Sequence, residues 1–251
     1  MVDDETKTYR DFLKDSLRLT LDFSATDQNR GIGPPPLQKP PRNDQDKIPL
    51  PGREAWGSFA GTDLVAAIGN RKSHRRFKDE QLSLAELAFL LWSTQGIRES
   101  VGPGCAYRVV PSAGCRHAFE TYLVVSSVGG LAPGVYRYLP VDHALVFEGG
   151  RVNLQAELSL AALNQTFVAA APVVFVWATV PYRMEWRYGL AAHRVIAMDA
   201  GHVCQNLYLA SQAVGCGTCA IAAYHQERMD RLLGLDGEDE FTLYMAPVGK
   251  V

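Results

Sequence analysis

Excess charge, long apolar runs and a cysteine framework are all missing from this sequence, and each absence excludes a class of protein. Lys and Arg number 25 against 27 Asp and Glu, leaving a net charge of -2. Such a chain has no bulk positive potential with which to hold nucleic acid. The longest apolar stretches, Phe167 to Val180 among them, are too short to span a bilayer, and that one contains Pro172. The acidic start, Met1-Val2-Asp3-Asp4-Glu5, precedes no apolar core, so no secretory signal is expected. Five cysteines are an odd count in a chain of 251 residues and form no disulfide scaffold. Reduced thiols in the cytoplasm are the simplest account. Cys216-Gly217-Thr218-Cys219 has C-x-x-C spacing, but no second pair or His cluster accompanies it, and no metal site is expected. No internal repeat is found. What remains is an ordinary globular composition, 47% apolar and 21% charged, able to bury a sizeable core.

The first 55 residues differ from the rest. Tyr9 to Leu21 has the apolar content of a short helix. Pro34-Pro35-Pro36, Pro40-Pro41 and Pro49-Leu50-Pro51 then exclude both helix and central strand. Residues 1–55 are expected to form an extended arm over the chain's own surface or a partner's. Ile48 and Leu50 favour docking over disorder.

Residues 56–251 carry the globular pattern. Thr62 or Asp63 can cap a helix over Leu64–Asn70. Ser83-Leu84-Ala85-Glu86 has the capping-box spacing ahead of an apolar, buried helix from Leu84 to Trp92. Tyr107–Val110, Thr121–Ser127 and a hairpin of Val135–Tyr138 with Ala144–Phe147 read as strands. Leu154–Leu163 reads as a helix. The β-branched and aromatic run Pro172–Thr179 reads as a strand buried on both faces. His193–Val214 is the longest helical pattern and ends at Gly215. Thr218–Tyr224 is β-prone, Glu227–Leu233 helical, and Phe241–Val248 a last strand. Strands and helices mix without regular alternation, which predicts an α+β fold with a mostly antiparallel sheet between helices.

Two segments could carry chemistry. Arg71-Lys72-Ser73-His74-Arg75-Arg76-Phe77 places four cations and a hydroxyl in seven residues. On extended backbone Arg71, Ser73 and Arg75 share a face. Planar guanidinium forks beside a hydroxyl suit a phosphate; a solvated basic turn is the plainer reading. Pro111-Ser112-Ala113-Gly114 is either an ordinary turn or one whose backbone can approach a flat ligand.

The order of these pieces resembles the nitroreductase superfamily of flavin enzymes. Arg71-x-Ser73-x-Arg75-x-Phe77 is similar to its R-x-S-x-R-x-F opening, and Pro111 to Gly114 to its P-S-A-G turn. Gly201-His202-x-x-Gln205-Asn206-Leu207, then Gly215-x-Gly217-Thr218-x-x-Ile221, resembles the SagB/ThcOx branch. Pro247-Val248-Gly249-Lys250 resembles the terminal P-V-G-[RK]. The proline-rich arm and the Gly130 to Tyr138 hairpin fit the same branch. The resemblance implies a nitroreductase-like fold and an intertwined homodimer with FMN at the subunit interface. Arg71, Lys72, Ser73 and Lys250 are then expected at the FMN phosphate and ribityl chain, and Arg75 near the N1/O2 edge of the ring. A cation there stabilises an anionic reduced ring. Pro111, Ser112, Ala113 and Gly114 would come from the other subunit to cover the ring. Asn164 or Gln165 would reach the pyrimidine edge, and the backbone of Ala222 and Ala223 would approach N5/O4.

The implied activity is hydride transfer from NAD(P)H through the flavin to a small nitro, quinone or similar acceptor, with ping-pong kinetics. An azoline dehydrogenase of peptide natural-product biosynthesis and a non-catalytic flavin-binding protein are the alternatives. In azoline dehydrogenases of this branch a Lys-Tyr pair precedes the G-H-x-x-Q-N helix. Here the place reads Trp186-Arg187-Tyr188-Gly189. Arg stays protonated and makes a poor base, which weighs against azoline oxidation. Tyr188 is either a candidate acid or base or a packing aromatic. Arg187 and Tyr188 are the catalytic candidates; no nucleic acid, membrane or metal partner is expected.

Overall fold

The computed structural model describes residues 3–42, 45–57, 59, 61–102 and 104–251. Met1, Val2, Asn43 and Asp44 of the expected arm, with Ser58, Ala60 and Pro103, lie outside them. In chain order the regular elements are α1 (Asp4–Phe12), β1 (Lys47–Pro49), α2 (Leu64–Asn70), α3 (Leu84–Gln95), β2 (Ile97–Gly102), β3 (Cys105–Arg108), β4 (Phe119–Val125), β5 (Gly134–Leu139), β6 (Ala144–Gly149), α4 (Leu154–Ala161), α5 (Thr166–Ala169), β7 (Val173–Thr179), α6 (Tyr182–Tyr188), α7 (Ala192–Ala213), β8 (Cys216–Thr218), α8 (Gln226–Leu233) and β9 (Phe241–Lys250).

A seven-stranded sheet in the order β1-β6-β5-β4-β7-β9-β8 divides the molecule, and its ladders are antiparallel. β7 lies between β4 and β9 and is buried along its whole length. Its side chains alternate between two cores, as the period of a strand requires. Val173, Phe175 and Trp177 enter the core under α3 and α7, and Val174, Val176 and Ala178 the one under α4 and α8. This is the α+β arrangement that the pattern predicts.

α3 starts as its sequence dictates. The Ser83 hydroxyl accepts from Glu86 N–H, and a Glu86 oxygen accepts from Ser83 N–H at 2.9 Å. The helix continues to Gln95, one turn past the predicted end, because Leu90, Leu91 and Thr94 are still fully covered. α7 packs beside it, and Asn206 Nδ2 donates to the Ser93 carbonyl at 2.9 Å.

The arm departs from its predicted helix. The helix occupies Asp4–Phe12 rather than Tyr9–Leu21. The Asp3 carboxylate caps it by accepting from Thr6 N–H, and Asp4 and Glu5 suit the first turn. Tight 3-10 turns at Ser16–Leu19 and Phe23–Ala25 follow. The described arm lies on its own chain's surface. Its extended backbone leaves carbonyls unpaired, and buried guanidinium groups take them. Arg108 Nη2 donates to Leu37 O at 2.6 Å, and Arg137 donates to Lys39 O at 2.6 Å and Pro40 O at 3.2 Å. Lys39 N–H in turn donates to Glu120 Oε1 at 2.6 Å, and Arg183 pairs with the same carboxylate. β1 joins β6 only as an edge strand, where Pro49 removes no inner ladder bond.

Three further differences bear on the site. The β-prone run predicted over Thr218–Tyr224 is β8 at Cys216–Thr218, after which only an isolated Ile221–Met245 bridge touches β9. The chain turns away because Ala220 N–H goes to the Tyr208 hydroxyl at 2.8 Å. α6 escapes sequence reading because it has seven residues, six of them polar or aromatic. Tyr188 therefore ends a helix rather than starting one. The β2–β3 hairpin is missed because β2 has no buried face.

Candidate functional site

The basic segment runs along the outer edge of the sheet beside β8. α2 ends at Asn70, and the N–H of Arg71 just beyond it still donates to Ala67 O at 3.2 Å. From there the chain is extended. His74 N–H donates to Thr218 O at 2.9 Å, Ser73 bridges Thr218, and Lys78 N–H donates to Lys250 O at 2.8 Å. Gly217 and Gly249, paired across β8 and β9, make room for it. A β-carbon on Gly217 would stand 2.5 Å from the His74 ring, and one on Gly249 2.9 Å from Phe77. Burial, then the neighbouring Lys72 charge, holds His74 below the ordinary histidine range.

Tyr208 of α7 organises this edge. Its hydroxyl lies 2.9 Å from Ser73 Oγ and accepts from Ala220 N–H, while the Arg71 guanidinium sits 4.9 Å from its ring centroid. Arg75 lies 5.9 Å from the Phe167 ring of α5. Two residues earlier, Gln165 Nε2 donates to Ala223 O at 2.9 Å and Ala162 O at 3.0 Å. Leu163 and Asn164 reach that point through left-handed backbone, with φ of 55° and 60°. Ala222 and Ala223 are exposed, and neither amide donates to a protein acceptor among the described residues. Arg71, Ser73, Arg75, Gln165, Ala222 and Ala223 thus flank one edge, with exposed Lys72 beside them. Among the described residues no carboxylate lies within ion-pair distance of Arg71, Lys72, Arg75 or Arg76.

Lys250 does not join them within this chain. Its ammonium is held by Glu86 Oε1 at 2.5 Å and Val214 O at 2.8 Å. Burial pushes the Glu86 carboxyl up, but Lys250 and the Ser83 amide outweigh it and leave it below the usual range.

The P-S-A-G turn forms a second cluster. Ser112 Oγ accepts from His117 N–H at 2.9 Å, and Gly114 adopts φ 56°. A β-carbon on Gly114 would fall 2.6 Å from Arg187 Cδ and Nε and from the Tyr188 hydroxyl. The turn therefore lies directly on the α6 end. Behind it, Asp199 of α7 is buried, and that burial raises its carboxyl pKa against the lowering effect of Ser112 and Ala113. A cavity of about 480 Å³ opens beside exposed Pro111, lined by Arg98, Tyr107, Arg108, Ser112, Cys115 and His117. Asp199 and Tyr208 stand nine positions apart on α7, about 14 Å along its axis. Within one chain, then, the two predicted clusters sit at different points on the same helix.

Tyr208, Phe167, Asp199 and Gln28 escape sequence reasoning. Tyr208 follows Asn206-Leu207 directly, so that motif extended by one residue would have reached it. Gln28 had no signal: its contact with Arg187 spans 159 positions. The five cysteines are unbridged, and no group of three or more metal-ligating side chains exists among the described residues. No helix among those residues is long and apolar enough to cross a membrane.

The antiparallel sheet with the long α7 behind it and a cationic segment along its edge belongs with one known group of folds. The signature of the Nitroreductase family matches residues 68–250, and the chain belongs to that family. It is 34% identical over 190 residues to a protein of Methanocaldococcus jannaschii named as a nitroreductase, covering 74% of this chain and 90% of that one. A Ralstonia eutropha protein described as a nitroreductase has a crystal structure that superposes with TM-score 0.66 at 25% identity, over 87% of this chain and 94% of the other. The trifolitoxin operon protein TfxC of Rhizobium leguminosarum is 24% identical over 226 residues, 83% of this chain and 60% of that protein. The chain thus spans less than two thirds of TfxC, and shares the family's oxidoreductase character.

Proposed function

We propose that this protein is an FMN-dependent oxidoreductase, taking hydride from NAD(P)H and passing it to a small nitro, quinone or similar acceptor by ping-pong kinetics. One observation carries the reading. Arg71, Lys72, Arg75 and Arg76 have no carboxylate partners among the described residues, and Arg75 sits at the Phe167 ring, two residues from the Gln165 that bonds Ala223, where the Ala222 and Ala223 amides have no protein acceptor. Unneutralised cations next to free donors form a receptor for an anionic, hydrogen-bonding ligand. FMN, with a phosphate at one end and an acceptor-rich ring at the other, has that shape and charge.

Arg71, Lys72 and Ser73 would hold the phosphate and ribityl chain, with the Tyr208 hydroxyl fixing Ser73. Arg75 would stand at the ring's negative edge, and Gln165, Ala222 and Ala223 would supply polar contacts to its rim. Bound FMN supplies reversible two-electron chemistry. The Pro111–Gly114 turn would cover the ring from a second copy of the chain. A homodimer accommodates the separation of the two clusters along α7, since each site then takes one cluster from each subunit. Lys250, near the carboxyl end, would add to the phosphate site only by leaving Glu86.

The absorption spectrum of the purified protein is the first test. A flavin spectrum with FMN released on denaturation, and bleaching by NADPH or NADH under anaerobic conditions, is expected. Protein that is colourless and takes up no FMN on reconstitution would defeat the reading.

The likeness to a trifolitoxin operon protein favours one second reading, oxidation of an azoline-like ring in a modified peptide. Arg187 at the end of α6 is a poor base for that step. If neither the parent nor Arg187→Lys oxidises an azoline-bearing peptide, this second reading falls.

A further inference from the structure

Arg187 is a half-buried cation with no anion beside it among the described residues. Among the described residues its guanidinium has a single side-chain partner, Gln28 of the arm, whose Oε1 accepts from Nη1 at 2.9 Å. Its Nε is buried and donates to nothing among the described residues. No carboxylate lies within 4.0 Å of it among the described residues. Two more deeply buried guanidinium groups, Arg137 and Arg183, share Glu120, while buried Arg108 has two oxygen acceptors, Gln95 Oε1 and Leu37 O, where Arg187 has one. An unpaired donor on a partly buried cation costs stability unless a ligand completes it.

The cation is also held in place. The Tyr188 ring lies 5.5 Å from its guanidinium carbon, and Gly114 packs on its Cδ and Nε. The arm fixes the backbone on which it stands. Gln28 N–H donates to Trp186 O at 2.9 Å, Trp186 Nε1 donates to Ile32 O at 2.9 Å, and the Tyr182 hydroxyl donates to Asp27 Oδ2 at 2.8 Å. A side chain meant for solvent would not require such support. With Nη1 committed to Gln28 and Nε buried under Gly114, Nη2 is the donor left open among the described residues.

We infer that Arg187 is a specificity-determining residue that receives the carboxylate of a planar electron acceptor, and that Gln28 of the amino-terminal arm is its positioning residue. This rests on the reading of the P-S-A-G turn as a wall of the substrate slot. A carboxylate suits the guanidinium by charge and by its paired oxygens. The arm, distant in sequence, thereby becomes part of substrate selection. The same cation could instead meet the phosphates of the nicotinamide donor, and the experiment separates the two.

Isothermal titration of benzoate and benzamide into the full-length protein as purified tests the inference without turnover. Benzoate is expected to bind at least about tenfold more tightly than benzamide, the size of one charge-assisted hydrogen bond. Arg187→Gln should erase that preference, Arg187→Lys should retain part of it, and Gln28→Leu should reduce it with the melting temperature little changed. Should Arg187→Gln fail to fold, the Gln28→Leu and Arg187→Lys titrations decide. Equal binding of the two ligands, no benzoate binding at millimolar concentration, or a preference that survives in Arg187→Gln would overturn the inference. So would a variant in which only the KM for NAD(P)H rises. Absence of flavin bleaching by NAD(P)H would sink the oxidoreductase reading while leaving the benzoate result to stand by itself.

Discussion

Gly114 touches Tyr188 so closely that a β-carbon on the glycine would stand 2.6 Å from the tyrosine hydroxyl. Two segments 74 positions apart thus form one surface, and the left-handed φ of 56° at Gly114 makes the approach possible. Gly114→Ala should cost about 1–2 kcal/mol from backbone strain alone, and more from the clash with Arg187. Thermal unfolding should show the loss, and if Arg187 and Tyr188 line the acceptor side as proposed, acceptor reduction should fall further than flavin reduction.

The Tyr208 hydroxyl serves two partners, Ser73 Oγ and Ala220 N–H. Tyr208→Phe strands the amide and should cost about 1–3 kcal/mol of stability. Ser73→Ala leaves that amide bond intact. The two variants should therefore separate in denaturant titrations, with Tyr208→Phe the less stable. In FMN-binding titrations both should weaken affinity several-fold. An unchanged dissociation constant in Ser73→Ala would remove Ser73 from the cofactor site.

The Glu86 carboxyl is held below its usual range, with burial overcome by Lys250 and the α3 cap. A carboxylate of depressed pKa adds stability that is present above its unfolded value and lost as pH falls through its folded one. Glu86→Gln should therefore destabilise the protein at pH 7, by about 1 kcal/mol given the partial exposure of the pair. Parent and variant melting temperatures should converge as the pH falls below the usual carboxylate range. Divergence that persists there would mean the pair acts through packing rather than charge.

His117 is buried between guanidinium groups, and its pKa falls from 6.5 to about 3, chiefly through burial and then through Arg108 and Arg116. The folded state keeps it neutral while the unfolded chain takes up a proton below about pH 6.5. Stability should thus fall with acid from that point, by at most about 1.4 kcal/mol per pH unit, until the folded pKa is reached. His117→Asn should flatten the stability curve between pH 6.5 and 4. An identical slope in the variant would place the acid-sensitive group elsewhere.

Much of the fold is written locally. The capping box of Ser83 and Glu86, the unbroken apolar run of β7 and the 3.6-residue pattern of α7 each state their element without reference to distant chain. Motif order points to the family as well, because Arg71-x-Ser73-x-Arg75-x-Phe77, Pro111–Gly114 and Gly215-x-Gly217-Thr218 are short strings legible in the linear chain. Tertiary structure decided what those strings meet. It set Tyr208 against Ser73, committed Lys250 to Glu86, and brought Gln28 across 159 positions to hold Arg187. Periodicity and caps act within a few residues and so survive in a linear reading. The pairing of a buried cation with its acceptor depends on how the arm lies over the sheet, and only the folded chain specifies that.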